Sequence, residues 1–268
     1  MIDWGFMRFM SRSKPNLVEP SFLVSGALIT NLGTYSADER FEQTRETFRS
    51  IRVLFPNSQI LYVDSGFAHP HLGELLKAIP IGVPGELVRV LDLTDDLEIR
   101  QIQELSMSEQ SKFASQPALE GYYKSLLEAV SIWKAIPMSG DDRQPLIKLS
   151  ARYLLEEDFR REYARWQRDS SRWNLLIMKK RSSYLLPRVS GFEHYCRTVL
   201  WASGRISRIE IAEIFRAVKE TLHGMKNSGK IIDLEHAVFR MIRGLNLRQV
   251  RRICVTGMVA SNGKSISL

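Results

Sequence analysis

The stretch "FEQTRETFRSIRVLFPNSQILYVDSG" (residues 41–66) changes its period halfway along. Phe41, Thr44, Phe48, Ile51 and Leu54 recur at three and four residues, the spacing of one face of an amphipathic helix. Pro56-Asn57 stops that pattern. "QILYVD" (59–64) follows as a short apolar run closed by Ser65-Gly66, the pattern of a strand buried on both faces.

The same alternation continues on both sides. Upstream, "SFLVSGALIT" (21–30) is a β-branched apolar run. Downstream, the helix-like "HLGELLKAI" (71–79) leads into "ELVRVLDL" (86–93). A long helical pattern, "ALEGYYKSLLEAVSIWKAI" (118–136), sets Leu119, Tyr122, Leu126, Leu127, Val130 and Trp133 on one side. The turn "MSGDDRQP" (138–145) then delivers "LIKLS" (146–150) as a fourth, central strand. Strand and helix in alternation predict an α/β fold, Rossmann-like, with a mostly parallel central sheet flanked by helices. In such sheets ligands sit beyond the carboxyl ends of the strands. Here those ends carry Thr30 and Asn31, then Asp64, Ser65 and Gly66, then Asp92. Loops favour the same small polar residues for their own reasons.

The second half is less regular. "EDFRREYARWQRD" (157–169), "RIEIAEIFRAVKETL" (208–222) and "DLEHAVFRMI" (233–242) have helical spacing, the last opened by Asp233 as N-cap. "WNLLIMKK" (173–180), "CRTVLWAS" (196–203) and "QVRRICVTGMVA" (249–260) read as strands, and "SNGKSISL" (261–268) as a tail. With no internal repeat or linker, residues 21–268 form a single domain in this reading. Residues 1–20 stand apart as a tail or an amphipathic helix, with Trp4, Met7, Phe9 and Met10 beside Arg8 and Arg12.

The 268 residues are 44% hydrophobic and include five tryptophans, which excludes a disordered chain. Cys196 and Cys254 are the two cysteines and lie far apart, so a cysteine zinc cluster is excluded. A disulfide framework is not expected, and a reducing, cytoplasmic setting is. No apolar run reaches the roughly 18 residues of a membrane helix, and the N-terminus does not read as a secretory signal. A net charge of +8 favours anionic partners. The sequence lacks G-x-G-x-x-G after the first strand, a Walker loop, a G-x-S-x-G elbow and H-E-x-x-H. His69 and His71, separated by a proline, make a weak metal pair.

Three segments in order carry a resemblance: "FEQTRETFRSIRVLFPNSQILYVDSG", "LIKLSARYLLEEDF" (146–159), and "IDLEHAVFRMI" (232–242) followed by "VRRICVTGMVASNGKSI" (250–266). Together the chain resembles the GT-A-type nucleotide-sugar glycosyltransferases, in particular those of bacterial capsule and O-antigen assembly and their relatives in large DNA viruses. Ala151 departs from a central motif that in those relatives reads K-[IL]-S-G-R-Y. The resemblance implies a GT-A-like domain that takes a UDP- or GDP-sugar donor and a polysaccharide or lipid-linked saccharide acceptor. It implies that Thr30, Asn31, Asp64 and Ser65 hold the base and ribose; Gly66 allows close backbone approach, and Lys124, on the helix leading into the central strand, is placed to reach the donor.

Many members hold a divalent ion, Mn or Mg, with D-x-D at the fourth strand's end; here Ser150-Ala151-Arg152 stands there. Fixed cations stabilise a leaving diphosphate without a metal, and Lys148 and Arg152 are the candidates. The alternative is that Arg152 pairs with Glu156 or Glu157 and ties down a turn. Asp141-Asp142 reads as a surface turn. The proton acceptor needed by an inverting enzyme points to Glu235 and His236, or to the second pair Glu193 and His194, each of which also suits an exposed face. Peripheral contact with the inner membrane fits the basic charge. Two other readings remain open: a non-enzymatic nucleic-acid-binding protein using "RREYARWQRDSSRW" (160–173) and "RQVRR" (248–252), although no nucleic-acid motif supports one, and a transferase fold that binds donor without catalysis.

Overall fold

The structure, a computed structural model, describes residues 17–79, 87–142, 144–185, 188–258 and 265–268. The expected N-terminal tail or helix lies outside them as far as residue 16, as does residues 261–264 of the expected C-terminal tail. In chain order the elements are β1 (Ser21–Gly26), α1 (Ala37–Leu54), β2 (Ile60–Asp64), α2 (Leu72–Ala78), β3 (Val88–Asp92), α3 (Leu97–Ser108) and α4 (Pro117–Ala135). β4 (Leu146–Ser150), β5 (Tyr153–Leu155), α5 (Asp158–Arg168), β6 (Leu175–Met178), β7 (Arg181–Ser182), β8 (His194–Tyr195) and β9 (Leu200–Ser203) follow. The chain closes with α6 (Arg208–Asn227), α7 (Leu234–Ile242), β10 (Leu247–Val250), β11 (Val255–Met258) and β12 (Ser265–Ser267).

Seven strands form the main sheet in the order β10-β6-β9-β4-β1-β2-β3. β9 alone runs against its neighbours β4 and β6; the other pairings are parallel. The expected mostly parallel α/β sheet is therefore observed, with β4 at its centre. Side-chain alternation along β1 sends Leu23 to the layer of α3, α4, α6 and α7, and Phe22 and Val24 to the layer of α1, α2 and α5. α1 begins where the sequence supplies a capping box: the Ser36 hydroxyl accepts from the Glu39 N–H and the Glu39 carboxylate from the Ser36 N–H. Its Thr44, Phe48, Ile51 and Leu54 are buried, as their spacing requires.

Two local readings change. The run 249–260 is not one strand: β10 pairs with β6 in the main sheet, and β11 pairs with β5 and β12 in a separate three-stranded sheet. Cys254, at φ 53°, turns the chain between them. α3 was not anticipated, although Asp96 caps it by accepting from the Glu98 and Ile99 N–H groups and Ile99 and Ile102 are buried. Asp233 caps α7 as expected. Among the described residues no helix is long and apolar enough to cross a membrane.

Candidate active site

A cleft enclosing about 780 Å³, counted out to its open mouth, lies beyond the carboxyl ends of β1, β2 and β4. Its lining includes Gly26 and Thr30 after β1, Ser65 after β2, Arg152 after β4, Arg40 of α1, and Lys124 and Glu128 of α4.

The loop after β1 is held from two sides. Arg40, buried at the start of α1, donates from its guanidinium to the carbonyls of Ala27, Leu32 and Tyr35. Asp64, at the end of β2, accepts from the Leu28 N–H at 2.9 Å, the Gly66 N–H at 2.8 Å and the Tyr62 hydroxyl at 2.6 Å. Burial pushes the Asp64 carboxyl up to about 6, and those three donors restrain the rise. Asp64 is fully buried, so it shapes the loop after β1 and does not itself face the cleft. Gly66 belongs to the same device: a Cβ there would sit 2.5 Å from the Ile29 carbonyl oxygen. Thr30 caps its own turn by accepting from the Leu32 N–H. Both polar atoms of the Asn31 carboxamide are buried without a hydrogen-bond partner. Asp92 is exposed and closes a turn by accepting from the Thr94 N–H.

One face of α4 forms another wall. Glu120 pairs with Lys124 at 2.6 Å and accepts from the Gly33 N–H. One turn further, Glu128 meets Lys148, which alternation along β4 directs to this side with Leu146. Lys148 has no exposure and donates to Glu128 Oε1, to Ser150 Oγ at 2.8 Å and to the Thr198 carbonyl at 2.9 Å. All three ammonium hydrogens are thereby engaged. The expectation that Lys148 contacts a diphosphate directly meets this obstacle; the residue orders the floor of the cleft. Burial pushes Glu128 up, but the charges of Lys148 and Arg152 outweigh it and hold the carboxyl below the usual range.

Arg152 differs. Its backbone is fixed by a bond from its N–H to the Ser150 carbonyl, and its Nε is buried without a partner. Among the described residues it forms no ion pair. Glu156 pairs instead with Arg252 at 2.6 Å and accepts from Ser267, so the turn-anchoring alternative is not what the chain adopts. Burial, then the neighbouring Arg152 charge, hold the Arg40 guanidinium below the usual arginine range. Three cations and one carboxylate line the cleft; that carboxylate has Lys148 and Lys124 has Glu120, which leaves Arg40 and Arg152 without an ion pair among the described residues. This wall suits an anion. It does not suit a divalent ion: Ser150-Ala151-Arg152 offers no carboxylate, and no group of three His, Cys, Asp or Glu side chains converges among the described residues. His69 and His71 do not belong to such a group.

Glu235, at the start of α7, is largely buried beside Arg197, 3.7 Å away. Burial pushes its carboxyl up to about 7, against the pull of Arg197 and the Thr198 N–H and with the push of Asp233 and Glu128. Thr198 also accepts from Lys148, whereas Glu235 itself is not among the residues that line the cleft. His236 is fully buried, its Nδ1 2.8 Å from Asp233 Oδ1 and its Nε2 2.9 Å from Ser183 Oγ, between the rings of Tyr184 and Tyr195. Both ring nitrogens are occupied, so His236 fastens the β7–β8 segment to α7 and has none left for an acceptor proton. Glu193 and His194 are exposed, with Glu193 accepting from the Gly191 N–H. Asp142 approaches Arg208 at the start of α6.

Sequence reasoning missed Arg40 and Glu128. Both had a signal: Arg40 extends the Thr44–Phe48–Ile51 face by one turn, and Glu120, Lys124 and Glu128 recur at four residues.

No family model matches the chain, and no curated protein matches it. Solved structures with a similar course of chain include the galactosyltransferase LgtC in complex with donor and acceptor sugar analogs, at 11% identity and a TM-score of 0.49, over 86% of this chain and 73% of that one. Mouse xyloside xylosyltransferase 1 aligns at 10% identity and 0.46, over 87% and 85%. The 4-diphosphocytidyl-2C-methyl-D-erythritol synthase of Anaerococcus prevotii aligns at 9% identity and 0.44, over 87% and 86%.

Proposed function

We propose that the chain is a nucleotide-sugar-dependent glycosyltransferase that moves a sugar from a UDP- or GDP-sugar to a polysaccharide or lipid-linked saccharide, without a divalent metal. The observation that carries this reading is Arg152: a guanidinium on the wall of the strand-end cleft, with a buried unsatisfied Nε and no ion pair among the described residues. Planar guanidinium groups bind phosphate oxygens bidentately. As the bond from the sugar C1 to the phosphate oxygen breaks, negative charge gathers on the departing diphosphate. Arg152 stabilises it by contact, and Arg40 and Lys124 by charge.

In this reading Thr30 and Ser65, which line the cleft, face the nucleoside. Asn31, expected beside them, is not among the residues that line the cleft, and its carboxamide is buried. Asp64 and Gly66 hold that loop in place, and Lys148 keeps Glu128 and Ser150 fixed. Glu235 takes the proton of the acceptor hydroxyl as its oxygen bonds to C1; a carboxyl near 7 is matched to that task at neutral pH.

A thermal-shift screen over nucleoside diphosphates and sugar nucleotides, run with EDTA and with Mn²⁺, tests it. Stabilisation by UDP or GDP that survives EDTA is expected, since a ligand bound to the native state raises its melting temperature. Stabilisation only with Mn²⁺ would refute the metal-free part, and no response to any nucleotide would refute the whole.

A further inference from the structure

We infer that the corner made by the ends of β6 and β10 is a docking surface for an anionic membrane leaflet. β6 and β10 run parallel in register, with Met178 beside Val250. The Lys179 N–H extends that ladder to the Val250 carbonyl, and the Lys180 N–H reaches Gln249 Oε1. Lys179, Lys180 and Arg181 therefore leave the sheet next to Arg251. All four are exposed, and none takes part in an ion pair among the described residues. Arg252 is engaged by Glu156. On the β7–β8 side the Glu193 carboxylate accepts from the Gly191 N–H, and that of Asp233 from the Tyr184 hydroxyl.

An aromatic residue completes the patch. Tyr184, three residues beyond Arg181, is 56% exposed while its hydroxyl is held inward by Asp233. Exposed cations with a tyrosine beside them are the composition that settles at an anionic headgroup layer. Side chains spread over a corner suit an extended anionic surface better than one small anion.

Placement supports the same conclusion. Because only β9 is reversed, β6 and β10 end on the sheet edge where the cleft opens. Strand spacing of about 4.8 Å puts the patch roughly 10–15 Å from the end of β4. A leaflet docked there would hold a lipid-linked acceptor near the cleft, but the docking itself does not rest on the transferase reading.

The test is co-sedimentation of the full chain, without donor, with phosphatidylcholine vesicles and with vesicles of equal phosphatidylcholine and phosphatidylglycerol. Binding to the anionic vesicles alone, falling with added salt, is expected. Each basic side chain near an anionic surface contributes about fivefold. Lys179→Glu/Lys180→Glu/Arg181→Glu should therefore lose at least about a hundredfold in partitioning with an unchanged melting temperature. The milder pair Lys179→Ala/Lys180→Ala should lose about twenty-fivefold, and it keeps the test informative if the triple variant fails to fold. Equal binding to neutral vesicles, undiminished binding by these variants, or binding of a duplex oligonucleotide with no vesicle binding would overturn the inference.

Discussion

The Lys148 ammonium lies 2.5 Å from the Glu128 carboxylate, and this pair joins the central strand of the sheet to the helix that walls the cleft. Lys148 has no exposure, whereas Glu128 keeps 30% of its side chain accessible. Removing one partner of a buried pair leaves the other charge uncompensated, at a cost of about 3–5 kcal/mol. Glu128→Gln should therefore destabilise at the low end of that range in denaturant melts. Lys148→Met with Glu128→Leu, which removes both charges, should be less costly than Lys148→Met by 1 kcal/mol or more, about a tenth of the stability of a typical domain.

Glu235 gives a prediction in two directions. Its folded pKa, about 7, lies above the ordinary 4.5, so the folded state holds its proton more tightly than the unfolded chain. The stability from this group is present below 4.5 and is lost as pH rises through about 7. Glu235→Gln should raise the melting temperature at pH 8 relative to the unsubstituted protein. It should also lower kcat by about 10²–10⁴ and abolish the rise of rate with pH centred near 7. A variant that gains stability and keeps its rate would assign the proton to another group.

Asp64 also has a raised pKa, yet its replacement should act the opposite way. Asp64→Asn would turn an NH₂ toward one of three donors, the Leu28 N–H, the Gly66 N–H or the Tyr62 hydroxyl. A loss of about 2–3 kcal/mol is expected from a buried donor left without its acceptor. The measurement is urea unfolding of the variant.

Gly66→Ala tests the same loop by shape. Its Cβ would lie 2.5 Å from a backbone oxygen that cannot rotate away, so a loss of about 1–3 kcal/mol is expected from overpacking. Nucleotide binding should weaken with it, because the displaced Ile29 segment borders the cleft. Unchanged binding in a destabilised variant would separate the loop from the donor site.

The period of apolar residues was enough to place β1, α1, β2, β4 and α4, because those elements are buried in a regular rhythm. β4 spans the residues read as a strand, Leu146–Ser150. The antiparallel setting of β9 was not legible, since Leu200–Ser203 is buried throughout and a buried strand reads alike in either direction. The split at Cys254 was hidden because residues on both sides are apolar or β-branched and no glycine or proline marks the turn. In the site, the strand-end rule located the cleft and Arg152. It could not tell which polar residues face inward: Asp64 turns to Leu28, Tyr62 and Gly66, and Lys148 to Glu128, Ser150 and Thr198, so neither faces the cleft as expected. Glu128 was legible only through its spacing of four from Lys124 and Glu120, on a helix whose apolar stripe speaks for packing.

The central claim is that a cationic cleft wall holds a nucleoside diphosphate without a divalent ion. The direct measurement is calorimetric titration of UDP and GDP, in EDTA, into the unsubstituted protein, Arg152→Lys and Arg152→Ala. Hydrogen bonds to a charged group contribute about 1.5–3 kcal/mol, so Arg152→Ala should bind about ten- to a hundredfold more weakly, with an unchanged melting temperature. Arg152→Lys should fall between, since it keeps the charge and loses the fork. Equal affinity in all three proteins, or affinity that vanishes in EDTA and returns with Mn²⁺, would contradict the claim.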